Sequence, residues 1–187
     1  ILSPQVGFAH ARLSIIDTSS IANQPMSDDT GRFTIIFNGE IFNYRELRKN
    51  FLADVKFKST SDTEVLLNLF MRMGKDCLQH LNGFFAFAIF DNQKNEIFLA
   101  RDRFGIKPLH IYSDEKMLLF ASELKAILQF PVKKELDYNT LALYLQLNYV
   151  PGNNSMLKNI QKLKPGHFAA IDSKGNFKEE QFYSIPY

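Results

Sequence analysis

The chain has 187 residues, 45% of them hydrophobic and 22% charged, enough for one domain with a substantial core. Its 22 lysines and arginines nearly balance 20 aspartates and glutamates, and the longest basic run is Lys133-Lys134, which excludes the phosphate-neutralising stripe of a nucleic-acid binder. No apolar run approaches the ~20 residues that cross a bilayer, and the single Cys77 admits no internal disulfide, which suits a reducing compartment such as the cytoplasm. Phenylalanine occurs 18 times and tryptophan not at all, so the interior should be thick with aromatic rings.

In chain order, residues 6–16 are apolar-rich and of strand length, interrupted by His10, Arg12 and Ser14. Residues 33–37 are β-branched and aromatic, and the strand they predict should stop at the turn signal Asn38-Gly39. Asn43 with Glu46 has capping-box spacing and should start a helix running through Leu47 to about Leu52. Ser61 with Glu64 repeats that spacing ahead of Leu66, Leu69, Phe70 and Met73, and Gly74 supplies the stop. A short helix is expected over 76–81. Residues 84–90 follow, apolar at every position, so this strand must be covered on both faces and lie inside a layered structure. Asp91-Asn92 should turn it into a return strand over 96–100, and residues 109–112 and 117–121 form a second hairpin. Asp137 should cap a helix carrying Leu141, Tyr144 and Leu145. Residues 168–171 and 177–183 make a final hairpin around 173–176. Antiparallel strands in two sheets with helices outside them give an α+β class.

Four segments place polar residues where apolar pattern would otherwise continue: RLSIID at 12–17, FNGEIFNYRELR at 37–48, STSDTEVLL at 59–67 and ARDRFGIKPL at 100–109. The second puts Asn38, Gly39 and Glu40 at the exit of a buried strand, where a rigid element can hold reactive groups at an exposed edge. Gly39 would also let a backbone N–H approach a ligand closely. With LNGFFAFAIFD at 81–91, FASELKAIL at 120–128 and YVPGNNSMLKNIQKLKPGHF at 149–168, these segments resemble, in order, the glutaminase domain (class II glutamine amidotransferase) of glutamine-hydrolysing asparagine synthetases. The resemblance runs from about residue 6 to the end. It makes residues 1–187 one such domain, truncated at its N-terminus and ending near the junction to an absent ATP-dependent synthetase domain.

The resemblance implies a four-layer α/β/β/α sandwich of the N-terminal-nucleophile hydrolase type, two antiparallel sheets flanked by helices, with the N-terminal strand missing. It implies an N-terminal cysteine whose thiol attacks the glutamine amide and whose α-amine serves as base. It also assigns roles. Arg12 clamps the substrate α-carboxylate, with backbone groups near Leu13 and Ile15, and Asp62 receives the α-ammonium with help from Glu40. The Asn38 side-chain amide and the Gly39 N–H form an oxyanion hole. The nucleophile should lie upstream of Arg12. Cys77 is no substitute, so this piece alone is expected to be inactive. No Walker-type phosphate loop occurs in the sequence, and ATP, magnesium and aspartate are expected to act in the absent domain, with no cofactor or metal in this one. Glutamine is the expected partner, neither nucleic acid nor membrane is, and a homodimer is among the assemblies open to it.

Plainer readings stand beside these. Cys77 reads as a small buried apolar group. His10, His80, His110 and His167 share no metal-ligand spacing and read as structural or surface residues. Arg101, Asp102, Arg103 and Lys107 read first as a structural network or domain interface. Ser122, Glu123 and Lys125 are unplaced. Two rivals remain: an amidotransferase with a different acceptor, such as a sugar or peptidyl carboxylate, and a catalytically silent module kept for glutamine binding or assembly.

Overall fold

A computed structural model describes residues 2–3, 5–11 and 16–185. Its strands are β1 (Met26–Ser27), β2 (Phe33–Ile41), β3 (Gly83–Asp91), β4 (Glu96–Arg101), β5 (His110–Ser113), β6 (Leu118–Ala121), β7 (Ile160–Lys162), β8 (His167–Ile171) and β9 (Phe177–Gln181). Its helices are α1 (Tyr44–Phe51), α2 (Asp62–Met73), α3 (Leu124–Ile127) and α4 (Tyr138–Leu147). The strands form two wholly antiparallel sheets, ordered β1-β2-β3-β4-β8-β9 and β6-β5-β7.

Side-chain alternation along β3 builds the layers. Phe85, Phe87 and Ile89 turn to one face and meet Leu47 of α1 and Val65, Leu66 and Leu69 of α2. Ala86 and Ala88 turn to the other and meet Leu109, Ile111, Leu163 and Ala169. Small side chains on that face let the two sheets approach. The outer face of the smaller sheet buries Tyr112 and Ile160 against Ile127 and Val132. The order is therefore helix, sheet, sheet, helix: a four-layer α+β sandwich, in which the doubly apolar strand sits centrally, as expected. Among the described residues no helix is long and apolar enough to cross a membrane.

Local signals held unevenly. Ser61 caps α2, its hydroxyl accepting from the Glu64 N–H at 3.2 Å, and Gly74 ends it at φ +57°. Glu64 does not return to Ser61; its carboxylate reaches further back and accepts from the N–H groups of Lys58 and Ser59. Asn43 precedes α1 without capping it. Its side chain bridges the carbonyl of His80 and the N–H of Asn82, tying α1 to the entry of β3. Asp137 caps α4 as expected, accepting from Asn139 and Thr140. The expected helix over 76–81 is a 3-10 turn over Gly74–Gln79. Residues 7–11 of the apolar segment 6–16 carry no regular structure, and 12–15 lie outside the described residues. The largest correction concerns Asn38-Gly39: β2 does not turn there but pairs with β3 through Ile41.

The ARDRFGIKPL segment is a buried anchor. The Arg101 guanidinium donates to three carbonyls, Lys107 at 2.8 Å, Leu163 at 2.6 Å and Gly105 at 2.7 Å. Asp102, almost fully buried, accepts from the N–H groups of Phe85, Phe104, Ile106 and Lys107. The two side chains fold the loop after β4 over the end of the sheet and so set the position of Lys107. An ammonium cannot reproduce the three-way fork. Arg101→Lys should lower the free energy of unfolding by about 3 kcal/mol, by leaving buried carbonyls unpaired. A urea-unfolding midpoint equal to that of the parent would contradict this.

Candidate active site

The open edge of β2 lies against the N-terminus of α2. Phe85 directs its N–H and its carbonyl toward the β4 side, where the Asp102 carboxylate accepts from the first and the Asp102 N–H donates to the second. In an antiparallel ladder both backbone groups of a residue face the same neighbour. Gly39, the Cα partner of Phe85, must therefore point its N–H and carbonyl away from β3, toward the opposite edge. β1 covers that edge only at Thr34 and Ile35.

Phe37 and Ile41 flank Gly39 on this edge, and side chains serve both. The Phe37 N–H donates to Gln24 Oε1 at 2.6 Å and its carbonyl accepts from His10 Nε2 at 3.0 Å. The Ile41 N–H donates to Asp62 Oδ2 at 3.0 Å. A strand edge that would ordinarily recruit another strand is thus closed by polar side chains at two positions. The Gly39 N–H lies between them.

A cavity of about 180 Å³ opens at this point, lined by Asn38, Gly39, Glu40 and Asp62 together with Gln24 and Lys107. It is smaller than the ~300–1,000 Å³ clefts that enclose drug-sized ligands. Its carboxylates are Asp17, Glu40 and Asp62. Burial raises the Asp62 carboxyl above the ordinary range; hydrogen bonds from Ile41 and Thr63 oppose the rise and the Glu40 charge adds to it. Hydrogen bonds from Ser19 and Thr60 hold Asp17 well below that range. An amide donor, a backbone donor and a desolvated carboxylate share one small space. Such a set can hold an ammonium at one end and stabilise an oxygen that gains negative charge at the other.

Of the residues expected from sequence, Asn38, Gly39, Glu40 and Asp62 are brought together here. Arg12, Leu13 and Ile15 lie outside the described residues, although Ala11 and Ile16, on either side of them, line the cavity. Sequence reasoning missed Gln24, which lines the cavity and bonds to β2; His10, read as structural or surface, makes a structural bond to the Phe37 carbonyl and also lines the cavity. It also missed Lys107 as a lining residue. Cys77 is buried, and burial pushes its thiol up to about 12. A second cavity of about 310 Å³ lies beside β1, between Asp28, Asp29, Lys58 and Glu64.

Comparison with known proteins places the chain. Residues 1–183 match the family model described as a glutamine amidotransferase domain, and the chain belongs to that family. It is 35% identical to a putative glutamine-hydrolysing asparagine synthetase 2 of Methanocaldococcus jannaschii, over 97% of this chain and 38% of that protein. It is 40% identical to the glutamine-hydrolysing asparagine synthetase 3 of Bacillus subtilis, over 90% of this chain and 28% of that protein. The chain thus spans well under half of these relatives. Among solved structures, the glutamine phosphoribosylpyrophosphate amidotransferase of B. subtilis superposes with a TM-score of 0.67 over 94% of this chain and 34% of that one, at 24% identity. The chain shares the fold of that amidotransferase.

Proposed function

We propose that this domain hydrolyses the side-chain amide of glutamine and supplies the ammonia to a synthetase domain elsewhere in the full-length protein, for ATP-dependent conversion of aspartate to asparagine. The observation that carries the reading is the meeting of Asn38, the Gly39 edge and Asp62 around one amino-acid-sized cavity. In this scheme Asp62, with Glu40, receives the α-ammonium, and Arg12, on the segment between lining residues Ala11 and Ile16, clamps the α-carboxylate. The side-chain carbonyl of glutamine then faces Asn38 Nδ2 and the Gly39 N–H.

The nucleophile is an N-terminal cysteine supplied by polypeptide preceding Ile1. Its sulfur forms a bond to the amide carbon, and negative charge moves onto the oxygen held by Asn38 and Gly39. The C–N bond breaks as the amine nitrogen takes the proton that the cysteine α-amine had accepted, and ammonia leaves. Water then attacks the thioester, releasing glutamate and restoring the thiol. ATP and magnesium act in the other domain, where an activated carboxylate accepts the ammonia.

Full-length protein should release glutamate from glutamine, and form AMP and asparagine only when aspartate and ATP are present. Glutamate release without asparagine would assign a different acceptor. Glutamine binding without glutamate release would leave a silent binding module.

Asp62 links the site to stability. A carboxyl whose folded pKa is raised binds its proton more tightly in the folded state. Its favourable contribution is complete at pH below ~4, the unfolded value, and is lost as pH rises through the raised folded value. Above that folded value the Asp62 carboxylate is a costly buried charge. Asp62→Asn keeps an acceptor for the Ile41 N–H and removes that charge. The variant should melt at a higher temperature than the parent at pH 7, with the difference closing at acid pH. Its KM for glutamine should rise about a hundredfold, the scale of one lost charge-assisted bond. A lower melting temperature at pH 7 would contradict the linkage.

A further inference from the structure

We infer that Ser122 is a positioning residue for the carboxamide of Asn38, an inference that rests on the glutaminase reading above. Asn38 belongs to β2 of the six-stranded sheet, and its side chain lies on the face that looks toward the smaller sheet. There its Nδ2 donates to Ser122 Oγ at 3.1 Å. Ser122 follows directly on β6 and precedes α3, so it reaches Asn38 from the opposite sheet. The contact spans 84 positions in the chain.

A primary amide nitrogen carries two hydrogens in one plane. Once the serine oxygen accepts one of them, the amide can no longer rotate freely about its last torsion, and the direction of the second hydrogen is set. Asn38 lines the cavity, so that second hydrogen is the one available to a substrate oxygen. With nitrogen toward Ser122, the carbonyl oxygen of Asn38 is turned from that contact. Ser122 does not line the cavity with Asn38 and acts through it. The geometry of the oxyanion donor is thereby tied to the alignment of the two sheets rather than to β2 alone. In sequence the segment FASELKAIL shows a serine of no evident use, because its partner lies on a different sheet.

The test uses full-length protein with glutamine as substrate. Removing an oxyanion donor outright costs about 10²–10³ in kcat, so loosening one should cost about tenfold, with KM for glutamine changed less than about twofold. Ser122→Thr, which keeps the hydroxyl, should restore kcat to within about threefold of the parent. In an Asn38→Ala background, Ser122→Ala should have no further effect, because coupled residues do not add. A crystal structure of the Ser122→Ala protein should show the Asn38 amide rotated or in two orientations. Additive losses in the double variant, a change confined to KM, or an unmoved Asn38 amide would overturn the assignment. If the parent protein releases no glutamate, the glutaminase reading fails, and the Asn38 amide in the Ser122→Ala crystal still decides whether Ser122 positions it.

Discussion

Asn38→Ala in the full-length protein is expected to lower kcat for glutamine hydrolysis by about 10²–10³, equivalent to roughly 3–4 kcal/mol of transition-state stabilisation. KM should move little, because the neutral amide oxygen of bound glutamine gains much less from the donor than the charged oxygen of the tetrahedral intermediate. The fold should survive. Asn38 is only half-buried, and among the described residues its side chain makes one hydrogen bond, to Ser122. Synthesis driven by added ammonia should proceed at the parent rate, since that route bypasses the amide. Steady-state glutamate release with glutamine, and asparagine formation with ammonia, separate the two effects. Equal loss by both routes would show that Asn38 supports the structure rather than the charge.

Gly39→Ala should instead remove fold and activity together. Gly39 adopts φ +152°, where side chains are strained, and a Cβ built there would overlap the carbonyl oxygen of Phe84 and lie 2.8 Å from Phe85 Cα. Both obstacles are backbone atoms of β3, which is buried along most of its length, so relief requires β2 and β3 to separate. A loss of about 3 kcal/mol or more in unfolding free energy is expected from overpacking and strain combined. The Gly39 N–H would move with its strand, and glutaminase activity should fall even in molecules that remain folded. Denaturant unfolding of Gly39→Ala beside the parent measures the first effect. A variant as stable as the parent would contradict the close approach of the two strands.

The contrast between these neighbours shows what the sequence could and could not convey. The run 84–90 announced a strand covered on both faces because every position is apolar, and β3 is that strand. Ser61 announced α2 because a cap acts within one turn of its own helix. Asn38-Gly39 misled, because the dipeptide that favours turns also serves where a strand needs a glycine against its neighbour, and the neighbour lies 45 residues away in sequence. β1 and β7, with two and three residues, are too short to show a period, and four-residue α3 shows none either. Gln24 was invisible for a different reason: its side chain substitutes for a strand partner of Phe37, and nothing local in Gln24-Pro25 reveals that. That Asn38, Gly39, Glu40 and Asp62 belong to one candidate site was expected from the family resemblance, and they line one cavity, whereas Gln24, Lys107 and Ser122 depend on contacts between distant segments. Lys107 reaches the cavity because Arg101 and Asp102 fold its loop, not through any signal of its own.

One cavity should receive both ends of glutamine. The most direct measurement is a crystal structure of the full-length protein with the proposed nucleophilic cysteine replaced by alanine and glutamine bound. The α-ammonium should lie about 3 Å from an Asp62 carboxylate oxygen, and the side-chain amide oxygen about 3 Å from both Asn38 Nδ2 and the Gly39 nitrogen. Glutamine seated in the cavity beside β1, or bound with its amide turned away from Asn38 and Gly39, would contradict the account.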